Sequence, residues 1–522
     1  MRIHLLCYTL ILAGLSHVLN AQTNTLFSQC YGGNNNEAVY KILPTSDSGF
    51  IFTGHTWSNN QQVNGQHGAR DIWVVKCDTA GQMEWQRCLG GTSEEGATCM
   101  FQQGNSFVVG GFASSVDGNV TGNHGDSDFW LIKLRDDNTM QWKKCFGGTN
   151  GELMNDVIPT ADGGYLMAGF TFSNDGDVSG LHGPPGNWAD VWVVKIDAQR
   201  NIQWQKCLGG TEADAAYRVI ELNGGNIIIA ASANSTNGDI TLSRGNRDIW
   251  MIKLDAQGNL LQQKNFGGSY DEAPSDMILT SNQHLLITGY SFSADGDLTG
   301  NYFNGTTNWE DVWVFQIDTS FNLQWQKNLG GTHSDVGNRL LETPKGYLLG
   351  AESSSVDFDR TQSFGFKDYW LVLLDTVGTI LWQQSFGGNA FDFLKTMTID
   401  YTGQLLLGGF TSSSNLCTLG NADIWLLKLD TAVTTSSLVT TANPLNNFKV
   451  GPVPFTDELT IDLSDRMDVR KIMVHDVMGK LYFSAVAFPS IFSINTRLWP
   501  TGIYMIIVQD IHGLHSKKII RY

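Results

Sequence analysis

Two short motifs each recur seven times along this chain and stay in phase with one another. Gly-Gly pairs follow at intervals of 57 to 63 residues, with their first glycines at Gly32, Gly90, Gly147, Gly209, Gly267, Gly330 and Gly387. Asp-x-Trp recurs between them, at Asp71, Asp128, Asp190, Asp248, Asp311, Asp368 and Asp423. In a repeat of this length, each unit covers its apolar face with its neighbours. The 522 residues are therefore expected to fold as a repeat rather than around one large core.

The third unit shows the strands that one repeat contains. Gly147-Gly148 precedes a strand-like stretch, and the segments YLMAGFTF, DVWVVKID and NIQWQKCL follow, separated by two short turns and one long loop. Four strands joined by Gly- and Asp-containing turns are typical of a propeller blade. The sequence therefore predicts an all-β protein, a seven-bladed β-propeller of four-stranded blades over residues 22–431. A stacked β-solenoid is the alternative, although its coils are usually shorter than these units.

The two ends of the repeat region predict how the ring closes. The last Asp-x-Trp strand ends at Asp430, and no fourth strand of the WQKCLGG kind follows it. The stretch TLFSQCYGG, which precedes the first unit, looks like an orphan fourth strand. We therefore expect Thr25–Cys30 to complete the seventh blade, which leaves no blade open.

The remaining segments predict export and a second domain. Residues 1–21 read as a signal peptide, because the apolar run Leu5–Leu15 is too short to span a bilayer and a small residue precedes the cleavage site. No later stretch has the length of a transmembrane segment. Residues 432–446 have the Thr- and Ser-rich composition of a linker, and residues 447–522 predict a small β-sandwich.

The C-terminal stretch resembles the type A C-terminal sorting domain of the type IX secretion system. The matching elements, in order, are Pro452-x-Pro454, Asp457-Glu458-Leu459, Val474-His475-Asp476, Gly479-Lys480, Leu498 with Gly502-Ile503-Tyr504, and Lys517-Lys518-Ile519-Ile520. The resemblance implies the type IX machinery as a partner and a secreted or outer-membrane surface location. It places the sorting signal at Gly479, Lys480, Gly502, Tyr504, Lys517 and Lys518. The repeats also resemble the propeller-like repeats of such cargo, which implies no activity.

The net charge argues against one class of ligand. The net charge is −18 and the sequence pI is about 4.9, which argues against nucleic acid because phosphate contacts need clustered Lys and Arg.

Four cysteines share one repeat position: Cys30, Cys88, Cys145 and Cys207. Equivalent positions in different blades should lie far apart, so we expect small buried residues rather than a disulfide framework.

Two sets of acids recur in every unit. One set stands four residues after the second glycine of each pair, at Glu37, Glu95, Glu152, Asp214, Glu272, Asp335 and Asp392; the other is the Asp of Asp-x-Trp. Recurrence in all seven units favours a structural role, with acids accepting backbone N–H bonds from the glycine turn and capping the long loop. Cation binding is the alternative. The Asp and Asn spacing of two loops suggests Ca²⁺ as the cation, at Asp175, Asp177, Asp295 and Asp297, although these loops lack a full ligand set.

The sequence favours binding over catalysis. It contains no HExxH, GxSxG, phosphate-loop or CxxC motif, and His67, His124 and His182 recur in a loop where a turn-forming role is expected. The third and fifth long loops depart from the repeat and carry the candidate ligand-binding residues Trp188, Trp309, Tyr302 and Phe303.

We therefore expect an exported, non-catalytic binding or adhesion protein with a glycan or protein ligand. The alternatives are a polysaccharide hydrolase or lyase that uses carboxylates on the loop side, and a structural surface component. An enzyme is the less favoured of these interpretations.

Overall fold

The computed structural model describes residues 24–300, 309–430, 449–451, 456–463, 471–476, 481–485, 491–497, 499–500, 502–509 and 514–521. The predicted signal peptide, 1–21, and the predicted linker, 432–446, lie outside these residues. The described residues form strands, turns and loops, with no helix among them. The chain divides into two compact units, Met1–Thr435 and Ser436–Tyr522, which we describe separately.

The first unit consists of seven antiparallel sheets of four strands. The first strand in the chain is β1 (Asn24–Tyr31). Blades 1 to 3 contain β2 (Glu37–Pro44), β3 (Phe50–Thr56), β4 (Asp71–Cys77), β5 (Met83–Leu89), β6 (Glu95–Gln103), β7 (Ser106–Ala113), β8 (Asp128–Arg135), β9 (Met140–Phe146), β10 (Glu152–Pro159), β11 (Tyr165–Thr171), β12 (Asp190–Ile196) and β13 (Ile202–Leu208). Blades 4 and 5 contain β14 (Asp214–Glu221), β15 (Ile227–Ala233), β16 (Asp248–Leu254), β17 (Leu260–Phe266), β18 (Glu272–Leu279), β19 (Leu285–Ser291), β20 (Asp311–Ile317) and β21 (Leu323–Leu329). Blades 6 and 7 contain β22 (Asp335–Thr343), β23 (Gly346–Ser353), β24 (Asp368–Leu374), β25 (Ile380–Phe386), β26 (Asp392–Ile399), β27 (Leu405–Thr411) and β28 (Asp423–Asp430).

The seven sheets form a closed ring. The first strand of each blade contacts the first strand of the next, and β2 contacts both β6 and β26, so the circle closes after seven blades. Seven apolar clusters lie between neighbouring blades, one at each junction. The tryptophan of Asp-x-Trp is buried in each cluster, at Trp73, Trp130, Trp192, Trp250, Trp313, Trp370 and Trp425. The predicted seven-bladed propeller is therefore confirmed.

The N-terminal strand completes the seventh blade, as predicted. Strand β1 pairs antiparallel with β28, from Asn24 opposite Asp430 to Tyr31 opposite Ile424. The sheet order is β1-β28-β27-β26, so the outermost strand of the last blade comes from the start of the chain. Ring closure therefore joins the two ends of the propeller by backbone hydrogen bonds.

The expectation that the cysteines form no disulfide is wrong for Cys30. Cys30 is bonded to Cys417, with 5.8 Å between their Cα atoms. Each long loop folds over the outermost strand of its own blade, and in blade 7 that strand is β1. The two cysteines therefore meet within one blade, an arrangement that a comparison of equivalent positions in different blades does not reveal. The other described cysteines, Cys77, Cys88, Cys99, Cys145 and Cys207, form no disulfide and are buried, as expected for Cys88, Cys145 and Cys207.

The second unit contains two small antiparallel sheets. Its strands are β29 (Lys449–Gly451), β30 (Glu458–Asp462), β31 (Lys471–Asp476), β32 (Leu481–Ala485), β33 (Ile491–Asn495), β34 (Gly502–Gln509) and β35 (Leu514–Arg521). The sheet orders are β29-β30-β33 and β32-β31-β34-β35, and residues of both sheets, including Leu459, Val474 and Tyr504, share one apolar core. Nowhere in the described chain is there a helix long and apolar enough to cross a membrane.

Candidate ligand-binding face

One face of the propeller carries the seven Gly-Gly turns and the seven long loops between the second and third strands of each blade; we call it the loop face. In blade 3, four consecutive backbone N–H groups at the turn each donate to a different side chain. Gly147 donates to Asp177, Gly148 to Glu152 at 2.8 Å, Thr149 to Asp175 at 2.8 Å, and Asn150 to Ser173 at 2.9 Å. Asp177, Asp175 and Ser173 belong to the long loop, so three of these hydrogen bonds hold the loop against the glycine turn.

The same contact recurs in every blade and confirms the structural interpretation of the acids. The second glycine of each pair donates its N–H to the acid four residues later over 2.6 to 2.9 Å, at Glu37, Glu95, Glu152, Asp214, Glu272, Asp335 and Asp392. The Asp of Asp-x-Trp caps the long loop. It accepts the backbone N–H of His67, His124, His182, Arg244, Phe364 or Leu419 in six blades.

The three recurring histidines serve these loop caps and do not converge. The ring Nδ1 of His67, His124 and His182 lies 2.6 to 2.7 Å from the carboxylate that caps its own loop. Each histidine therefore fixes a loop of its own blade, in line with the predicted turn-forming role.

The two rings of acids meet in pairs beside the first glycine of each turn. A Cβ atom added to Gly147 would lie 2.6 Å from Asp128 Oδ1 and closer still to Glu152 Oε2. Both carboxyl groups are fully buried. Burial, with the neighbouring Asp128 carboxylate, raises the pKa of Glu152 from its ordinary 4.5 to about 7. Burial likewise raises the pKa of Asp214 and of Asp335 to about 6.

In five blades, one oxygen of the buried pair has no hydrogen-bond donor among the described residues. The Oδ1 atoms of Asp71, Asp190, Asp248, Asp368 and Asp423 accept no hydrogen bond from the described residues. A proton retained on one member of each pair would supply that donor. Since the oxygens are sealed beneath the loops, a substrate cannot touch them.

The residues predicted to bind Ca²⁺ also serve the glycine turns. Asp295 accepts the N–H of Ser269 at 2.8 Å, as Asp175 accepts that of Thr149, and Asp297 forms an ion pair with Arg244. Asn60, Asn237 and Asn415 make the same bond in other blades, so the contact needs an oxygen rather than a negative charge. Among the described residues, no three or more His, Cys, Asp or Glu are grouped to hold a metal ion. Calcium binding at these positions stays a prediction.

Two of the predicted binding residues stand on the loop face with exposed rings. Trp188 is 52% exposed and Trp309 is 50% exposed. Each stands two residues before the Asp of Asp-x-Trp, in blades 3 and 5. Tyr302 and Phe303 lie outside the described residues.

The junction of blades 6 and 7 carries an aromatic surface that the sequence did not predict. Phe366 stands at the same repeat position as the two tryptophans and is 65% exposed. Its ring stacks on Phe391, with 5.2 Å between centroids and 23° between planes. Phe391 stacks in turn on Phe393, whose ring carries the Lys395 ammonium 5.4 Å from its centroid. We call Trp188, Trp309, Phe366 and Phe391 the aromatic set.

A break in the repeat marks this surface in the sequence. Blade 6 has Arg360 where the first five blades have a buried apolar residue, at Val63, Val120, Val178, Ile240 and Leu298. Arg360 is buried, forms an ion pair with Asp368 and donates to the carbonyl of Ser355 at 2.9 Å. Phe358 has a φ of 52°, at the position where four other blades have glycine. An aromatic residue in the left-handed region is strained, a feature that clusters at functional sites.

A shallow groove lies between the outer strands of blades 3 and 4. Its volume is about 440 Å³, and His182, Gln205, Lys206 and Asp239 are among the residues that line it. His182 Nε2 lies 3.5 Å from Asp239, while its Nδ1 contacts Asp190. Because Asp190 and its partner acid Asp214 do not line the groove, it does not expose a carboxyl pair.

The second unit matches a known family. Residues 449–521 match the secretion system C-terminal sorting domain. The protein is therefore cargo of the type IX secretion machinery and is exported to the cell surface or the medium. Of the predicted sorting residues, Gly502 and Tyr504 lie on β34, and Lys517 and Lys518 on the adjacent β35. Gly479 and Lys480 lie outside the described residues, and the role of all six stays a prediction.

Several solved structures resemble parts of the chain at low sequence identity. The Pan2 WD40 domain of Neurospora crassa is 9% identical, with a TM-score of 0.43, over 78% of this chain and 95% of that domain. Sqt1 from Chaetomium thermophilum is 10% identical, with a TM-score of 0.39, over 74% of this chain and 82% of its own. The extracellular domain of the putative hybrid two-component system BT4673 from B. thetaiotaomicron is 10% identical, with a TM-score of 0.30, over 93% of this chain and 68% of its own. No curated protein sequence matches the chain. The fold assignment rests on the strand pairing described above.

Proposed function

We propose that this exported protein binds glycans at the cell surface or in the medium through the aromatic set on its loop face. The observation that carries the proposal is the repeat position shared by Trp188, Trp309 and Phe366. Four other blades have Ala69, Asp126, Asn246 and Asn421 there. Three blades thus replace a small or polar residue with a large ring that is half or more exposed. Large rings exposed on a rigid scaffold are typical of an interaction site.

The surroundings of these rings favour a polar, uncharged ligand. The long loops are rich in Asn, Ser, Thr and Asp, which offer donors and acceptors, while the net charge of −18 disfavours acidic polymers. A sugar presents a face of C–H groups that packs on an aromatic ring and hydroxyl groups at its edges that hydrogen-bond to such loops. A protein partner, the other ligand class considered above, is an outcome of the experiment below.

The position of the acids supports binding rather than hydrolysis. Glycoside hydrolysis needs two carboxyl groups that face the substrate. The recurring carboxyl pairs described here are buried under the loops and occupied by turn amides. They are thus poorly placed for the polysaccharide-enzyme alternative.

A glycan array probed with the full chain tests the proposal. We expect binding to defined glycans, weakened about tenfold by Trp188→Ala or Trp309→Ala, which corresponds to about 1.4 kcal/mol. Tyr401→Ala is the matched control, because Tyr401 is 58% exposed but lies in the turn between the first two strands of blade 7, on the opposite face. Equal binding by the two tryptophan variants and the control would contradict the assignment of the face. Binding to no glycan, with capture of a protein instead, would contradict the ligand class.

A further inference from the structure

The innermost strands carry a ring of polar side chains in the central channel. Each of the seven first strands has an irregularity at the same point, in β2 between Val39 and Lys41. The residues that follow it are Lys41, Cys99, Asp156, Arg218, Asp276, Arg339 and Thr396. We call these residues the channel ring. A bulge re-aims the side chain beside it, and such features are selected rather than accidental.

The acceptors of the channel ring join neighbouring blades. Asp156 accepts the N–H of Val219 at 3.0 Å, and Asp276 accepts that of Leu340 at 2.9 Å. The Thr396 hydroxyl accepts the N–H of Ile42 at 3.1 Å across the closing junction. Blades 3, 5 and 7 therefore supply acceptors to the strand of the following blade.

The cations of the channel ring come from blades 1, 4 and 6. Arg218 Nε donates to Asp276 Oδ1 at 2.8 Å. Arg339 Nη2 donates to the carbonyl of Tyr40 at 3.3 Å, a contact that passes blade 7 and reaches blade 1. Arg339 therefore reaches a blade that is not adjacent to its own.

The charges of the channel ring do not balance within the described chain. Lys41, Arg218 and Arg339 face two carboxylates, those of Asp156 and Asp276. The Lys41 side chain is partly buried and the described residues give it no hydrogen bond or ion pair, and the buried Arg339 Nε has no acceptor there. Burial and the two nearby guanidinium groups lower the pKa of Lys41. A buried guanidinium nitrogen that lacks an acceptor and lies near other cations is costly without a counter-charge.

We propose that the channel ring binds one small anion of single charge, held by Lys41, Arg339 and Arg218. One negative charge makes the site neutral, because three cations then face three anions. The Lys41 ammonium and Arg339 Nε supply donors that have no other acceptor among the described residues. The ligand class is a halide or a small carboxylate, and its binding ties blade 1 to blades 4 and 6. This site is independent of the glycan-binding face.

Crystals of the full chain grown in bromide test the site directly. We expect an anomalous bromide peak in contact with the Lys41 ammonium. The absence of such a peak in an otherwise ordered channel would overturn the proposal for halides, and replacement of bromide by acetate then tests the carboxylate arm. If neither anion appears there, the proposal is wrong.

Thermal unfolding gives a second readout in solution. We expect the anion that the crystals identify to raise the Tm of the full chain relative to gluconate at the same ionic strength, because a ligand stabilises the state that binds it. Lys41→Met and Arg339→Met should lose this difference. Lys253→Met should keep it, because Lys253 donates to the carbonyl of Thr319 in the neighbouring blade and does not belong to the channel ring. An equal anion effect in Lys41→Met and Lys253→Met would overturn the proposal. If neither channel variant folds, the bromide and acetate crystals of the unaltered chain decide the question.

Discussion

Glycine stands at both positions of each Gly-Gly pair for two different reasons. The first glycine has two buried carboxyl groups against its Cα, and the second has a serine Cβ and an Asp or Asn oxygen of the long loop, as at Gly147 and Gly148. The sequence predicts that the acids accept bonds from the turn, because the spacing recurs seven times. It does not predict that two acids from different blades share one glycine, because that contact joins segments distant in the chain.

A methyl group at the first glycine should destabilise the propeller. In Gly147→Ala, the new Cβ would overlap the carboxyl groups of Glu152 and Asp128, which are fully buried and held by hydrogen bonds from Gly148 and His124. We expect the free energy of unfolding to fall by about 3 kcal/mol, measured by chemical denaturation. Gly183→Ala is the control, since a Cβ there meets only Thr211 O at 3.8 Å. An equally small loss of stability in both variants would show that the carboxyl pair moves aside at little energetic cost.

The buried carboxyl pairs should make the protein more stable in mild acid. Carboxyls such as Glu152, whose folded pKa is raised to about 7, bind protons more tightly in the folded than in the unfolded chain. Their contribution is therefore fully present below the unfolded pKa of 4.5, declines as the pH rises, and is lost above about pH 7. We expect a higher Tm at pH 5 than at pH 8.

A single variant should remove part of this pH dependence. Glu152→Gln keeps the shape of the side chain but takes up no proton in this pH range. We expect it to lower proton uptake on folding near pH 6 by up to about one proton, obtained from the slope of stability against pH. Glu212→Gln, on the exposed surface, should leave the slope unchanged. An unaltered slope in Glu152→Gln would contradict the shared-proton interpretation.

At the scale of single elements, the strands follow from the repeat, but the loops do not. Every strand of a blade recurs with the same apolar pattern, so the sequence predicts them all. The third and fifth loops are predicted to be candidate binding loops because they are longer than the others. The sixth loop has ordinary length and differs only in residue type, at Phe358 and Arg360, so a comparison of loop lengths does not identify it.

The buried arginine of blade 6 should hold the aromatic loop in place. Arg360→Met removes the cation that pairs with Asp368 and the donor to the carbonyls of Ser353 and Ser355. Loss of one partner of a buried ion pair typically costs about 3 to 5 kcal/mol, and we expect a fall of that size in the free energy of unfolding. Lys195→Met, which breaks a pair with the partly exposed Asp162, should cost about 1 kcal/mol or less. Equal losses in the two variants would mean that Arg360 is not the anchor of its loop.

At the scale of the whole molecule, the sequence predicts the ring and its closure but not the covalent bond that secures it. The orphan strand identifies β1 as the missing member of blade 7, because every other blade has one such strand. The pairing of Cys30 with Cys417 depends on how a loop folds over that strand, which no repeat position reveals. The order of its motifs predicts that the C-terminal unit is a small β domain. The repeat contains no motif that identifies the ligand of the loop face.

The disulfide should stabilise the closed ring against reduction. It joins residues 387 apart, and a cross-link over a long loop removes much of the entropy of the unfolded chain. We expect a reducing agent to lower the free energy of unfolding by roughly 2 to 5 kcal/mol. Cys417→Ser should unfold at the reduced protein's Tm and show no further effect of the reductant. If the unaltered chain has the same Tm with and without reductant, the bond contributes nothing to closure.

Strand β1 is the first strand of the propeller to be synthesised, and its partner, β28, is the last. A chain that stops before Cys417 lacks both the strand that pairs with β1 and the cysteine that pairs with Cys30, so its Cys30 remains a free thiol. The reactivity of that one sulfur therefore reports whether blade 7 is complete. Copies truncated before Cys417 should react with a thiol-specific label at Cys30, while copies with a closed ring should not.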